Sequence, residues 1–146
     1  MTDNLSYRQL GSLYEQFACE VLKKSGWHIM ERGFTTRHGE IDIIAKKKNI
    51  ISFIEVKARR EGSVFTPQKA VDMRKGAKII RSSASYLILL NEMGINLDCF
   101  DFDFSIFTVT FDKNKNVTEY KLYNNYFTVD RDDLLRFALR YSNGNV

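Results

Sequence analysis

Two neighbouring segments of this 146-residue chain place acidic and basic side chains where they could hold a metal ion and a phosphate group. Residues 39–44 read GEIDII, and residues 51–57 read ISFIEVK. Both segments are typical of buried β-strands, because isoleucine, valine and phenylalanine dominate them. Their charged positions are Glu40, Asp42, Glu55 and Lys57, of which the last three stand out as candidates for chemistry.

The alternation of side chains along a strand predicts which groups share a face. Glu55 and Lys57 should project together, with Ile54 and Val56 on the other side. By the same rule Glu40 and Asp42 should share a face opposite Ile41 and Ile43. A hairpin turn over residues 46–49 would bring the two polar faces to the same side of the sheet. Two carboxylates and an ammonium group would then converge.

Such a convergence suits a hard divalent cation and a phosphodiester. Mg²⁺ prefers oxygen ligands, and Asp42 and Glu55 could supply them, with the backbone carbonyl of Val56 as a third. A metal ion bound there would activate a water molecule and stabilise charge on the attacked phosphate. Lys57 could orient that water or hold the phosphate oxygens. Arg59 and Arg60 continue the strand and suit the next phosphate.

Simpler explanations exist for each of these residues. A Glu-x-Lys pattern is often an ion pair on a solvated strand face, although a carboxylate in an apolar run is costly unless a cation compensates it. Glu15, at the edge of the apolar stripe of the first predicted helix, could reach a metal site, but a half-exposed helix glutamate is the favoured interpretation. Asp101 and Asp103 offer a competing acidic pair, which an edge strand with one solvated face would explain.

Composition and charge are those of a globular domain. Apolar residues make up 44% of the chain, charged residues 27%, and the net charge is +4. Eight basic residues and only two acidic ones lie in the segment 57–81, so positive charge collects beside and after the Glu-x-Lys strand. The two cysteines have neither disulfide nor zinc spacing and are predicted to be buried free thiols. A polar N-terminus and short apolar runs favour a cytoplasmic protein without a membrane segment.

Periodicity predicts the element order α-β-β-β-α-β-β-α, a mixed sheet flanked by helices. The predicted elements are a helix over 8–25, strands over 27–35, 39–44 and 51–58, a helix from 66 to 90 opened by Thr66-Pro67, strands over 99–111 and 117–123, and a helix over 130–141. We see no linker or repeat, so one domain is expected over residues 1–146, with a core over 8–110 and a C-terminal strand and helix over 111–146.

The order and spacing of several motifs resemble the YraN family. The motifs are Gly11-x-x-x-Glu15-x-x-Ala18, then residues 39–45 (GEIDIIA), residues 53–59 (FIEVKAR) and Pro67-x-x-Ala70-Val71-x-x-x-Lys75. That family consists of predicted endonucleases of the restriction-endonuclease-like PD-(D/E)xK superfamily, related to archaeal Holliday junction resolvases.

The resemblance implies a restriction-endonuclease-like α/β fold and Mg²⁺-dependent cleavage of DNA, including branched or structured DNA, with Mn²⁺ as a substitute. It implies catalytic roles for Asp42, Glu55 and Lys57, a helix-glutamate role for Glu15 and an additional polar role for Gln68. Beside these, the basic residues expected to contact nucleic acid are Arg59, Arg60, Lys69, Arg74, Lys75 and Lys78.

Two other functions stay open at this stage. One is a nucleic-acid-binding module on a nuclease fold, with little catalysis or with catalysis that depends on a partner. The other is an adaptor protein, against which the carboxylates and lysine in core strands argue. A homodimer is expected only by analogy with resolvases, whose junction substrates are symmetric.

Overall fold

A computed structural model of the chain describes residues 5–64, 73–127 and 129–142, leaving aside the side chains of residues 73, 74, 127, 141 and 142. In this part of the chain three α-helices flank one five-stranded mixed sheet, so the predicted α/β class is confirmed. The elements are α1 (Tyr7–Lys24), β1 (His28–Thr36), β2 (Gly39–Lys47), β3 (Ile50–Arg60), α2 (Met73–Glu92), a short 3₁₀ turn (Leu97–Cys99), β4 (Asp101–Phe111), β5 (Val117–Phe127) and α3 (Arg131–Ser142).

The strands lie in the order in which they occur in the chain, β1-β2-β3-β4-β5. Neighbours are antiparallel except β3 and β4, which are parallel and are connected through α2. The β2–β3 turn is shorter than predicted, because the strands extend to Lys47 and resume at Ile50. Lys48 completes the turn in the left-handed region, with φ 53°. The predicted helix start at Thr66-Pro67 lies outside the described residues.

The sheet separates two hydrophobic clusters, one on each face. On one face α1 packs through Ala18, Cys19 and Leu22 against Ile43, Ile54 and neighbouring strand residues. On the other face α2 and α3 pack against residues that alternate with these, including Ile44 and Phe53. This alternation explains why the central strands are nearly continuous apolar runs: both of their faces are covered.

The first helix carries the local signals that fix its start. Ser6 accepts a hydrogen bond from the backbone of Gln9, and the Gln9 side chain accepts one from the backbone of Ser6, which forms a capping box. This start sets the phase of α1, so that Ala18 and Leu22 are buried and Glu15, three residues before Ala18, lies at the margin of the packed face.

Two further expectations are tested by the described residues. Cys19 is buried as predicted, but the prediction for Cys99 is wrong: it is exposed, because the short turn before β4 carries it out of the core. No helix among the described residues is both long and apolar enough to cross a bilayer.

Candidate active site

The candidate site lies where β2 and β3 move apart. The two strands pair over residues 43–47 and 50–54, and the pairing stops before Asp42 and Glu55. Beyond that point the backbone N–H of Val56 donates to Oδ2 of Asp42 at 2.8 Å. The Asp42 carboxylate thus accepts a backbone hydrogen bond at a point where the two strands no longer pair with each other. This bond holds the carboxylate at the opening between the strands.

Strict alternation fails at this point of β2. The prediction that Ile41 and Ile43 share a face is wrong, because Ile41 packs in the cluster under α2 and Ile43 in the cluster under α1. On β1, the residue between the partners of these two isoleucines is Gly33, with φ 60°. A β-carbon at Gly33 would stand 3.3 Å from Oε1 of Glu40. The glycine therefore allows the local twist and leaves space for the Glu40 carboxylate.

Four carboxylates meet at this opening. Oxygen atoms of Glu15, Glu40 and Asp42 all lie within 4.8 Å of one another. The carboxylate of Glu55 lies within hydrogen-bonding reach of Asp42 and raises its pKa. The predicted members Asp42, Glu55 and Glu15 are thus brought together from two strands and one helix. Glu40 was missed as a site residue, although its position two residues before Asp42 was the available signal.

Two lysines approach one oxygen of the fourth carboxylate. Nζ of Lys57 lies 3.3 Å from Oε1 of Glu55, and Nζ of Lys75 lies 2.5 Å from the same atom. Lys57 comes from β3 itself, whereas Lys75 comes from the first described turns of α2. Lys75 was expected beside nucleic acid, and in the structure its ammonium group is part of the carboxylate cluster.

Burial and mutual repulsion set the electrostatics of the cluster. Burial first, and then the Glu55 charge, raises the pKa of Asp42 to about 8. Burial also raises the pKa of Glu15. Burial lowers the pKa of Lys57, and the adjacent Lys75 lowers it further. For Lys75 itself burial acts downward, but hydrogen bonding to Glu55 and Lys57 raises its pKa overall.

The cluster brings four carboxylates together with two ammonium groups, so negative charge is in excess. Folding holds the carboxylates together although two ammonium groups compensate only part of their repulsion. A carboxylate next to other carboxylates binds a proton more tightly unless a cation takes the proton's place. The donor set consists of oxygen atoms only, which is the set that Mg²⁺ and Mn²⁺ prefer.

The remaining predicted residues lie on β3 or α2, or fall outside the described residues. Arg59 is half-buried and Arg60 is exposed at the end of β3, and Lys78 is exposed on α2. Val56 contributes its N–H to Asp42, and metal ligation by its carbonyl stays a prediction. Gln68 and Lys69 lie outside the described residues, as does the side chain of Arg74.

The competing acidic pair has a different environment from the one predicted. The edge-strand interpretation is wrong, because β4 lies between β3 and β5. Asp103 is buried and accepts hydrogen bonds from Oγ of Ser105 at 2.9 Å and from the backbone of Asn125 at 3.0 Å. Asp101 is exposed and accepts one from Asn49. Asp103 thus holds β5 to β4 through Asn125, whose φ is 49°.

Comparison with known proteins matches residues 14–112 to the model of uncharacterised protein family UPF0102. This segment contains all four clustered carboxylates and Lys57 and Lys75, and it ends before β5. A UPF0102 protein of Clostridium botulinum (strain 657 / Type Ba4) is 44% identical over 81 residues, which are 56% of this chain and 66% of the relative. One of Syntrophomonas wolfei is 40% identical over 80 residues, 55% of this chain and 70% of the relative. One of Alkaliphilus oremlandii is 42% identical over 87 residues, 60% and 74% respectively. The chain therefore spans just under two thirds of the length of the Clostridium relative.

Proposed function

The chain belongs to uncharacterised protein family UPF0102, and we propose that it is a Mg²⁺-dependent DNA endonuclease. The observation that carries this proposal is the meeting of four carboxylates and two lysines at the opening between β2 and β3. The family description states no activity, so catalysis is inferred from the site and from the resemblance to the PD-(D/E)xK nucleases. By analogy with resolvases, the same proposal includes cleavage of branched DNA and activity as a homodimer.

The carboxylate cluster fits a divalent cation on chemical grounds. Asp42 and Glu55 would hold the ion, with Glu15 and Glu40 as direct ligands or as partners of coordinated water. A bound Mg²⁺ ion supplies Lewis-acid stabilisation of the attacked phosphate and lowers the pKa of a water molecule. Mn²⁺ accepts the same oxygen ligands and should substitute for Mg²⁺.

The protein's own groups would orient the reaction. Lys57 is partly desolvated, its pKa is lowered, and its ammonium group lies 3.3 Å from Glu55. From that place it can hold the attacking water or stabilise negative charge on the phosphate. The hydrogen bond from Val56 favours the side-chain conformation that keeps Asp42 at the opening. Side chains that are already held in place need to move less when a phosphodiester reacts.

The positive side chains nearby would neutralise DNA phosphates on either side of the cut. Arg59 and Arg60 follow the site on β3, and Lys78 lies on α2. Each phosphate that such a group neutralises releases a counterion, so binding should weaken steeply with salt.

The test combines metal binding with cleavage. Isothermal titration with Mn²⁺ should give binding to the parent chain, and Asp42→Asn and Glu55→Gln should each weaken it at least tenfold. The control is Asp101→Asn, which removes an exposed carboxylate outside the cluster. The parent chain should also cleave a mixture of linear, forked and four-way DNA in Mg²⁺ or Mn²⁺, and Asp42→Asn should not.

Two outcomes would contradict the proposal. Unchanged Mn²⁺ binding in both Asp42→Asn and Glu55→Gln would rule out the proposed metal centre. Binding of DNA without cleavage in either metal, together with an Asp42→Asn variant that behaves like the parent, would leave the non-catalytic nucleic-acid-binding module.

A further inference from the structure

A polar cleft of about 470 Å³ opens on the sheet where β3 and β4 end and β5 begins. Its lining includes Arg59 and Arg60 from β3, Thr108 from β4, and Lys121 and Tyr123 from β5. The two β5 residues lie beyond the segment 14–112 that the family model matches. They are therefore features of this chain that family membership does not explain.

Strand register connects this cleft to the carboxylate cluster. Lys57 pairs with Thr108 across β3 and β4, and Thr108 pairs with Lys121 across β4 and β5. Directly paired residues share a face, and so do residues two apart in one strand, such as Tyr123 with Lys121 and Glu55 with Lys57. Adjacent strands are about 4.8 Å apart, so the β5 residues lie about 10 Å from the site along the sheet. The cleft therefore continues the face on which Glu55 and Lys57 stand.

The groups that line the cleft suit a nucleotide more than a bare phosphate. Nζ of Lys121 lies 4.7 Å from the centre of the Tyr123 ring, so a positive charge and an aromatic ring stand together. Proteins that bind single strands combine the same two features, using the charge for the backbone and the ring for a base. Glu61 and Glu119 also line the cleft, and carboxylates accept hydrogen bonds from base amino groups but repel phosphates.

The size of the cleft points in the same direction. Pockets of about 300–1,000 Å³ enclose ligands of drug-like size, and a single nucleotide falls in that class. Bases inside a duplex are paired and stacked, so they reach such a pocket only after they leave the stack. An unpaired strand can place a base there without that cost.

We propose that this cleft binds an unpaired nucleotide of the DNA strand next to the bond that is cut. The proposal rests on the proposed endonuclease function and names its substrate class: DNA in which a single-stranded segment adjoins a duplex. Lys121 and Arg59 would contact the backbone phosphates of that segment, and Tyr123 would stack on its base.

The experiment measures binding with Ca²⁺ in place of Mg²⁺. Fluorescence anisotropy compares a forked oligonucleotide that has a single-stranded arm with a blunt duplex of the same paired sequence. The parent chain should bind the fork more tightly. Tyr123→Ala should weaken fork binding roughly 5- to 150-fold, the range expected for one lost base–aromatic contact, and Tyr123→Phe should retain it. Lys121→Ala should weaken it and reduce its salt dependence by about one phosphate contact.

The matched control is Lys24→Ala, which removes an exposed lysine at the end of α1. Equal binding of fork and duplex by the parent would overturn the proposal. The proposal would also be overturned if Tyr123→Ala and Lys121→Ala changed the affinity for the fork no more than Lys24→Ala does. Circular dichroism checks that all of these variants are folded. Failure of the endonuclease proposal would give a different result: the affinity for Mn²⁺ would be the same in Asp42→Asn as in the parent. The cleft variants should leave Mn²⁺ binding unchanged.

Discussion

Replacing Asp42 by asparagine should stabilise the metal-free protein at neutral and alkaline pH. Asparagine has nearly the same shape as aspartate, and its side-chain oxygen can still accept the hydrogen bond that the Val56 N–H donates at 2.8 Å. The substitution therefore removes a charge while the local geometry stays in place. What it relieves is the burial of that charge and its repulsion by Glu55 and Glu15.

The sign of the effect follows from proton binding. The pKa of Asp42 is raised from 3.8 to about 8 in the folded protein. Between these pH values the folded state binds more protons than the unfolded chain, so the free energy of unfolding falls as the pH rises through that window. Below about pH 3.8 the carboxyl group is protonated in the unfolded chain as well as in the folded state, so the asparagine variant should have no advantage there.

The size of the effect can be bounded. At about 1.4 kcal/mol per pKa unit, the whole shift sets a ceiling of about 6 kcal/mol at pH 8. The protons of the cluster are shared among coupled carboxylates, so removing one charge changes the titration of the others and recovers only part of that energy. We expect a gain of about 2–3 kcal/mol at pH 8, which is about 5–10 °C in Tm for a chain of this size.

The assay is urea unfolding of the parent and of Asp42→Asn in EDTA at several pH values from 4 to 8.5. The difference in unfolding free energy should rise with pH from near zero. Addition of Mn²⁺ should then stabilise the parent and leave the variant nearly unchanged, because only a state that binds metal is stabilised by it. A variant that is less stable than the parent at pH 8, or a difference that does not change with pH, would refute the reasoning.

Three further predictions concern single side chains. Lys57→Gln should reduce DNA cleavage at least 100-fold and leave Mn²⁺ binding intact in calorimetry, because the ammonium group acts on water and phosphate and not on the metal. Glu40→Gln should weaken Mn²⁺ binding several-fold, and an unchanged affinity would place Glu40 outside the metal site. Asp103→Ala should lower the unfolding free energy by about 1–3 kcal/mol, since it removes the acceptor of the buried Ser105 hydroxyl and of the Asn125 N–H; normal Mn²⁺ binding by this variant would confine Asp103 to a structural role.

Periodicity alone was enough to predict the types and the order of the described elements. The helices have apolar residues at helical spacing, and the central strands are short apolar runs with turn residues between them, so element type and order follow from local pattern. The meeting of Asp42 with Glu55 was predictable for the same reason: antiparallel neighbours joined by a short turn place their residues opposite each other. The turn between these strands was predicted over residues 46–49 but begins only at Lys48. Lys48 adopts a left-handed conformation that a lysine rarely takes.

The features that sequence reasoning missed depend on contacts between distant elements. Lys75 reaches Glu55 because of where α2 packs against the sheet, and the apolar pattern of the helix does not give that position. Alternation predicted that Glu40 shares a face with Asp42, but its approach to Glu15 on α1 and the space that Gly33 leaves for its carboxylate depend on other elements. Asp103 is buried because β5 pairs with β4 on the side away from β3. Which strands are neighbours depends on the arrangement of the whole sheet and cannot be read from one strand.

The energetic disadvantage of the cluster is itself an argument for its function. A protein that needed only this fold would be more stable with a neutral residue at position 42, because the same hydrogen bond to Val56 could be kept without a buried charge. The two hydrophobic clusters on either side hold the strands in place and so keep the carboxylates together in spite of their repulsion. Destabilising charges that the surrounding structure holds at a fixed opening are typical of sites where a ligand restores the balance. On the proposed function, that ligand would be a divalent cation together with a phosphate: the cation would take the place of the proton on Asp42, and the phosphate would take the place of Glu55 as a partner of Lys57.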